Sequence, residues 1–219
     1  MMFRGTILAA LALLGGCGDA AGASAQPRAA ASSPGAWTIG PIIRGRNYSK
    51  GVALHPSPRR GGGFQIDLPR APGSVHYVTF RHGPLTGKRR IVMRYRVEAD
   101  PGVRFVAASD GKSGSMITLY FQRAGDNWSG RGRFESYRWY ATFATQAPLT
   151  PGDHLMAAPL DGAWTAVETS NARTSPGAFR AALAAADEVG FVLGGGDGYG
   201  HGIFATGRAR LIVTDFRVE

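Results

Sequence analysis

The sequence predicts an all-β protein: a two-sheet, jelly-roll-like β-sandwich carrying one short helix near residues 176–186. Three observations support that expectation. The 219 residues include 32 Gly and 13 Pro, spread through the chain, a composition that suits short strands joined by turns and argues against a helical bundle. Apolar and polar residues alternate with a period of two in several segments. Turn-forming clusters separate those segments at short intervals. The length is ample for one domain with a substantial core.

Taken in order, the chain opens with Arg4, an apolar run from Thr6 to Leu14, and then Leu14-Gly15-Gly16-Cys17. The run is too short to cross a bilayer. The tetrapeptide resembles the lipobox of bacterial lipoprotein signal peptides. That resemblance implies removal of residues 1–16 and lipidation of Cys17, which anchors the chain to a membrane without threading it through. Gly18 directly follows Cys17 and Asp19 comes second, which under the same resemblance implies the outer membrane of the cell envelope. An ordinary secretory signal cleaved after Ala25 is the alternative. Cys17 is the only cysteine, so neither an internal disulfide nor a cysteine-based metal site is available. Residues 17–36 are mostly Ala, Ser, Gly, Pro and Gln and read as a disordered tether. A single β-sandwich domain is expected over residues 37–219.

Trp37-Thr38-Ile39 and Ile42-Ile43 begin the foldable sequence, and a turn-rich stretch follows at residues 45–51. Residues 56–63 suit neither helix nor strand. Strands are expected at 64–68, 75–80 and 90–97. In the last of these Ile91, Met93, Tyr95 and Val97 alternate with Arg90, Val92, Arg94 and Arg96, so its Arg side must meet water or an anionic partner. A strand at 103–107 precedes a strand pair within 116–143, and short strands follow at 154–156 and 164–167. Ser175 as N-cap, Pro176 in the first turn, and Phe179, Ala182, Leu183 and Ala186 on one face predict the helix. Strands at 189–193, 203–206 and 209–218 close the chain.

Residues 116–143 hold the densest mixture of aromatic, amide, guanidinium and carboxyl groups. Ile117, Leu119 and Phe121 alternate with Thr118, Tyr120 and Gln122; Tyr137, Trp139, Ala141 and Phe143 alternate with Ser136, Arg138, Tyr140 and Thr142. The more apolar sets are expected in the core. This leaves Tyr120, Gln122, Arg138 and Tyr140 on the opposite face, with Asp126, Asn127 and Trp128 in the connecting loop and Glu135 on the second strand. Rings beside amides, guanidinium and carboxylate can stack on a sugar and bond its hydroxyls. The same groups can form a satisfied polar seam under a loop. The first alternative makes Trp128 and Tyr140 the stacking rings, gives the hydroxyls to Gln122, Asp126 and Arg138, and adds His201 if the last loop folds over the site.

A strand with Trp164, a short helix with Phe179 and Leu183, a Val-Gly-Phe strand at 189–193 and a final strand at 209–218 resemble the C-terminal half of galactose-binding-domain-like β-sandwiches. Several families of non-catalytic carbohydrate-binding modules share this order. The resemblance implies a two-sheet sandwich that binds a glycan on a concave face or in end loops. Many such modules end in Ile-Asp-Asp, whereas Thr214-Asp215-Phe216 keeps one Asp, so a structural calcium is not expected.

The formal charge is +10, carried by Arg except at Lys50, Lys88 and Lys112. No helix-turn-helix, RNA-recognition or zinc-finger pattern accompanies it, so no nucleic-acid partner is expected. A solvated basic surface is the plain reading, and attraction to anionic lipid or acidic polysaccharide comes next. Glycoside hydrolysis needs two carboxyl groups about 5–10 Å apart across a cleft. Glu135 and Asp126 are the available pair, although Arg123, Arg131, Arg133 and Arg138 are close enough in sequence to pair with them. There is no nucleophile elbow, and the five His form neither an i,i+4 pair nor HExxH. No catalytic residue, metal or cofactor is therefore assigned. The glycines at 194–196 lack the following Lys-Ser/Thr of a phosphate loop and instead suit positive φ angles in a tight crossing. A structural lipoprotein that holds a protein partner through its Arg-rich face is the third reading.

Overall fold

The computed structural model describes residues 33–142, 145–167 and 170–219. The signal segment and Cys17 lie outside the described residues, as does Phe143. A short 3-10 turn at Pro34–Ala36 leads into β1 (Trp37–Gly40). Then come β2 (Ile42–Ile43), β3 (Arg46–Asn47), β4 (Ser57–Pro58), β5 (Phe64–Asp67), β6 (Tyr77–Arg81), β7 (Arg90–Ala99) and β8 (Phe105–Ala107). The second half holds β9 (Met116–Arg123), β10 (Arg138–Tyr140), β11 (Ala147–Pro148), β12 (Gly152–Pro159), β13 (Thr165–Ala166), α1 (Pro176–Ala184), β14 (Ala186–Gly194), β15 (Ile203–Ala205) and β16 (Ala209–Val218).

Among the described residues these strands form two large antiparallel sheets in a sandwich-like arrangement. One has the order β1-β6-β14-β9-β10-β13, with β11 also on β9; the other runs β12-β7-β16-β5-β4. The period-two alternation explains why they stack. In β7, Ile91, Met93, Tyr95 and Val97 are buried while Arg90, Arg94 and Arg96 are exposed. In β9, Ile117, Leu119 and Phe121 join the main core. Trp37 fastens the layers: its ring centroid lies 4.8 Å from Phe64 and 5.0 Å from Phe216 on the second sheet, and 4.6 Å from Phe80 on its own. Each such fully buried side chain contributes about 1.5–3 kcal/mol relative to exposure.

The helix covers one end of the first sheet. Phe179 and Ala182 are its buried positions, and Phe179 packs 4.9 Å from Trp139 and 5.9 Å from Phe121. Ser175 occupies the N-cap position but makes no side-chain cap bond; Pro176, with its preset φ, opens the first turn instead.

Two expectations about residues 116–143 are corrected. The second strand is only Arg138–Tyr140, because residues Gly132–Ser136 form a 3-10 turn. Gly130 and Gly132 both adopt positive φ (62° and 58°), which breaks an extended run before it can start. Glu135 therefore sits on an exposed turn, where its Oε1 accepts the Gly132 N–H at 3.0 Å.

Candidate functional site

Strand register sets the outer face of the first sheet as rows of side chains. One row reads Arg138, Gln122, Glu188, Arg81 across β10, β9, β14 and β6. The next reads Tyr140, Tyr120, Gly190, Thr79, Thr38, reaching β1. A third carries Thr118, Val192, Tyr77 and Gly40. Tyr120, Gln122, Arg138 and Tyr140 thus face away from the main core, as their alternation predicts.

They are not a wet shelf, and here the sequence expectation is corrected. Tyr120 is 0 % and Tyr140 2 % exposed, and Gln122 and Arg138 are also buried. The loop after β9 and the loop after β14 close over them. Tyr77, Tyr120, Tyr140 and Val192 make a small second core, against which Trp128, Val167 and Tyr199 pack. Tyr77 and Tyr140 share a hydroxyl–hydroxyl bond of 2.8 Å, and Tyr120 donates to Gln122 Oε1 at 2.8 Å. Burial pushes all three tyrosine pKa values above the ordinary phenol value.

This seam holds Trp128. Asp126 Oδ1 accepts the Trp128 N–H at 3.0 Å, and its Oδ2 receives Gln122 Nε2 at 3.1 Å. Arg138 Nε lies 3.0 Å from Asp126 Oδ2, while its Nη2 donates to the Trp128 carbonyl at 3.3 Å. The guanidinium carbon stands 4.8 Å from the Trp128 ring centroid, within cation–π range. The Asp126 side chain is wholly shielded; burial pushes its carboxyl upward against the pull of Arg138. Trp128 itself adopts φ 65°, a conformation that is an outlier for a bulky residue. Its ring meets Tyr77 edge-on at 5.2 Å and remains half-buried.

The last loop, from Gly194 to Gly202, covers the other flank. His76 Nδ1 lies 3.1 Å from the Gly200 carbonyl and its Nε2 lies 2.9 Å from Ser74 Oγ. Desolvation lowers the His76 pKa, with the Gly200 bond opposing and the charges of His201 and Lys50 assisting. Positive φ falls at Gly198 and Gly202, not at Gly194–Gly196 as expected. Gly200 packs on the Tyr77 ring and Gly202 on His76, so closely that any Cβ would collide. Tyr199 meets Tyr140 edge-on at 4.7 Å, and its hydroxyl donates to the Ala166 carbonyl at 3.0 Å. His201 Nε2 sits 3.6 Å from Asp197 Oδ2, and both side chains are at least half exposed.

Above the seam an open groove of about 550 Å³ is lined by Pro41, Tyr48, His76, Tyr77, Trp128, Arg138, Tyr140, Val167, Asp197, Tyr199, Gly200 and His201. A second compartment, about 370 Å³, lies on the same face, lined by Ala36, Thr38, Gly40, Pro41, Ile42, Tyr77, Thr79, Phe80, Arg81, Trp128 and Glu188. Within it Glu188 Oε2 accepts the Thr79 hydroxyl at 2.9 Å, and burial raises the Glu188 pKa.

Of the expected site residues, Trp128, Arg138, Tyr140 and His201 reach this groove. Tyr120, Gln122 and Asp126 lie beneath it as supports. Asn127 is exposed in the loop, accepting the Ser129 N–H at 2.9 Å, and neither it nor Glu135 is part of the lining. Glu135 and Asp126, the carboxyl pair weighed for hydrolysis, are not presented to either compartment. Local pattern missed Tyr48, His76, Tyr77, Thr79, Glu188 and Tyr199. Only Tyr48, an aromatic in a turn-rich stretch, carried a sequence signal.

No family model and no curated protein sequence matches the chain. Among solved structures it is similar to a "putative glycoside hydrolase" from Bacteroides vulgatus, at 10% identity and a TM-score of 0.34, over 77% of this chain and 76% of that one. Among the described residues no helix is long and apolar enough to cross a membrane, and no group of three or more His, Cys, Asp or Glu is placed to hold a metal.

Proposed function

We propose that this protein binds a glycan without cleaving it, in the groove on the outer face of its first sheet, while anchored to the cell envelope through a lipid on Cys17. The observation that supports the reading is the kind of wall the groove has. Two accessible aromatic rings, Tyr48 (41 % exposed) and the half-buried Trp128, stand beside Asp197, His201 and Tyr199. Ring faces take the C–H face of a sugar, and the flanking polar groups take its hydroxyls. Tyr48 replaces Tyr140 as the second stacking ring, because Tyr140 is nearly sealed. The buried Asp126–Arg138 seam fixes Trp128 before any ligand arrives, which lowers the ordering cost of binding.

Retention on a glycan array tests the proposal. Tyr48→Ala and Trp128→Ala should each abolish retention of the wild-type ligand at unchanged expression and solubility. If both variants retain it as wild type does, the groove is not the site. Incubation with polysaccharides and measurement of new reducing ends separates binding from hydrolysis; turnover would overturn the non-catalytic reading.

A further inference from the structure

The two compartments adjoin on one face of the sheet. They share Pro41, Tyr77 and Trp128 as a common waist, with His201 and Asp197 at the near end and Thr79, Arg81 and Glu188 at the far end. Within the far compartment the floor follows β6 from Tyr77 to Arg81, a run of about 13 Å at roughly 3.3 Å per residue. That is longer than one sugar ring. Each compartment also falls within the range of about 300–1,000 Å³ that accommodates a small organic ligand, at 550 and 370 Å³. A single ring would leave one of them filled with water.

The groove lining shows no excess of positive charge, in contrast to the formal +10 of the chain. Its lining offers two arginines, Arg81 and Arg138, against two carboxylates, Glu188 and Asp197. Both arginines are already engaged. Arg138 lies 3.0 Å from Asp126 and Arg81 lies 3.5 Å from Asp187. A polyanion would meet the carboxyl groups of Glu188, bonded to the Thr79 hydroxyl, and of Asp197, beside His201, and like charge opposes its approach.

We infer that the ligand is a neutral oligosaccharide that crosses the waist and occupies both compartments. The inference rests on the glycan reading of the same groove. Trp128 stands over the crossing point, and the Thr79–Glu188 pair reads the hydroxyls of the far rings.

The test is calorimetric titration of the full chain in detergent with neutral gluco-, xylo-, manno- and chito-oligosaccharides as monomer, dimer, tetramer and hexamer. Galacturonate and hyaluronan oligomers serve as polyanions. A neutral series should gain about tenfold or more in affinity from monomer to tetramer and then level off. That affinity should change by no more than about twofold between low and high salt. Thr79→Val and Arg81→Ala should reduce the affinity gained from monomer to tetramer. The Arg81 side chain is 83 % exposed, so its variant keeps the fold even if Thr79→Val does not. Equal affinity for monomer and tetramer overturns the two-compartment inference while leaving the glycan reading intact. Preference for polyanions with steep salt dependence overturns the neutral assignment. Failure of every oligosaccharide to bind removes the glycan reading, and this inference with it.

Discussion

Trp128 is the residue at which conformational strain and the proposed function meet. A left-handed backbone costs a non-glycine residue about 1–2 kcal/mol, and the Asp126 and Arg138 contacts hold Trp128 at φ 65° regardless. Trp128→Gly should therefore be more stable than Trp128→Ala by about 1 kcal/mol in urea unfolding, although both lose the ligand. Tyr140 behaves differently. Its ring is core, so Tyr140→Ala should cost about 3–5 kcal/mol, and any loss of binding will accompany unfolding. His76 gives the sign of one pH effect. Burial lowers its pKa from 6.5, so the folded state binds fewer protons than the unfolded chain. Its contribution to stability is therefore complete above 6.5 and is lost as pH falls below it. His82 is lowered in the same way, so His76→Gln should remove only part of the acid-side decline in melting temperature. Glu188 has the opposite sign. Its raised pKa makes the folded state the tighter proton binder, and stability declines as pH rises from 4.5 through the raised value. Glu188→Gln should flatten that decline and raise the melting temperature at neutral pH.

Among the elements, β14 is the one on which the face depends. It pairs with both β6 and β9, and at Gly190 the strands approach so closely that a Cβ would run into the Val78 carbonyl and Thr79. Gly190→Ala should destabilise by about 1–3 kcal/mol or more through overpacking, seen as a lower urea midpoint. The sequence marked β7, β9, β14 and β16 clearly, because each alternates or runs apolar over many residues. It overextended β10, since the aromatic alternation from Tyr137 to Phe143 looked like strand while Gly130 and Gly132 had already turned the backbone. The helix was legible from Pro176 and the Phe179–Ala182–Leu183 spacing, though its N-cap bond was not made. Side-chain direction in 116–123 could be read from the period of two. Exposure could not, because Tyr77, Val167 and Tyr199, which help to cover the seam, come from elsewhere in the chain.

At the scale of the molecule, the sandwich followed from composition and alternation, whereas the groove did not. His76 meets Gly200 across 124 residues and Thr79 meets Glu188 across 109, separations that no local pattern spans. The Arg stripe of β7 is likewise quieter than its sequence suggests. Arg96 pairs with Asp153 and Arg90 with Glu219, and beside them on β16 Arg210 pairs with Asp67; such exposed pairs contribute about 0–1 kcal/mol each. The proposed anchor is tested on the whole chain: Cys17→Ser should shift the protein from the membrane fraction to the soluble fraction.

Ala36, one residue before β1, is itself part of the far compartment's wall, while Glu219 follows the last strand of the opposite sheet. The amino end thus joins the domain at the groove, and the carboxyl end leaves from its back. A sensor chip loaded through an amino-terminal tag would crowd the very opening to be measured, whereas capture by the carboxyl terminus would turn it toward the flowing analyte. Under the proposed lipid anchoring at Cys17, the groove would lie on the side of the domain from which the chain reaches its lipid.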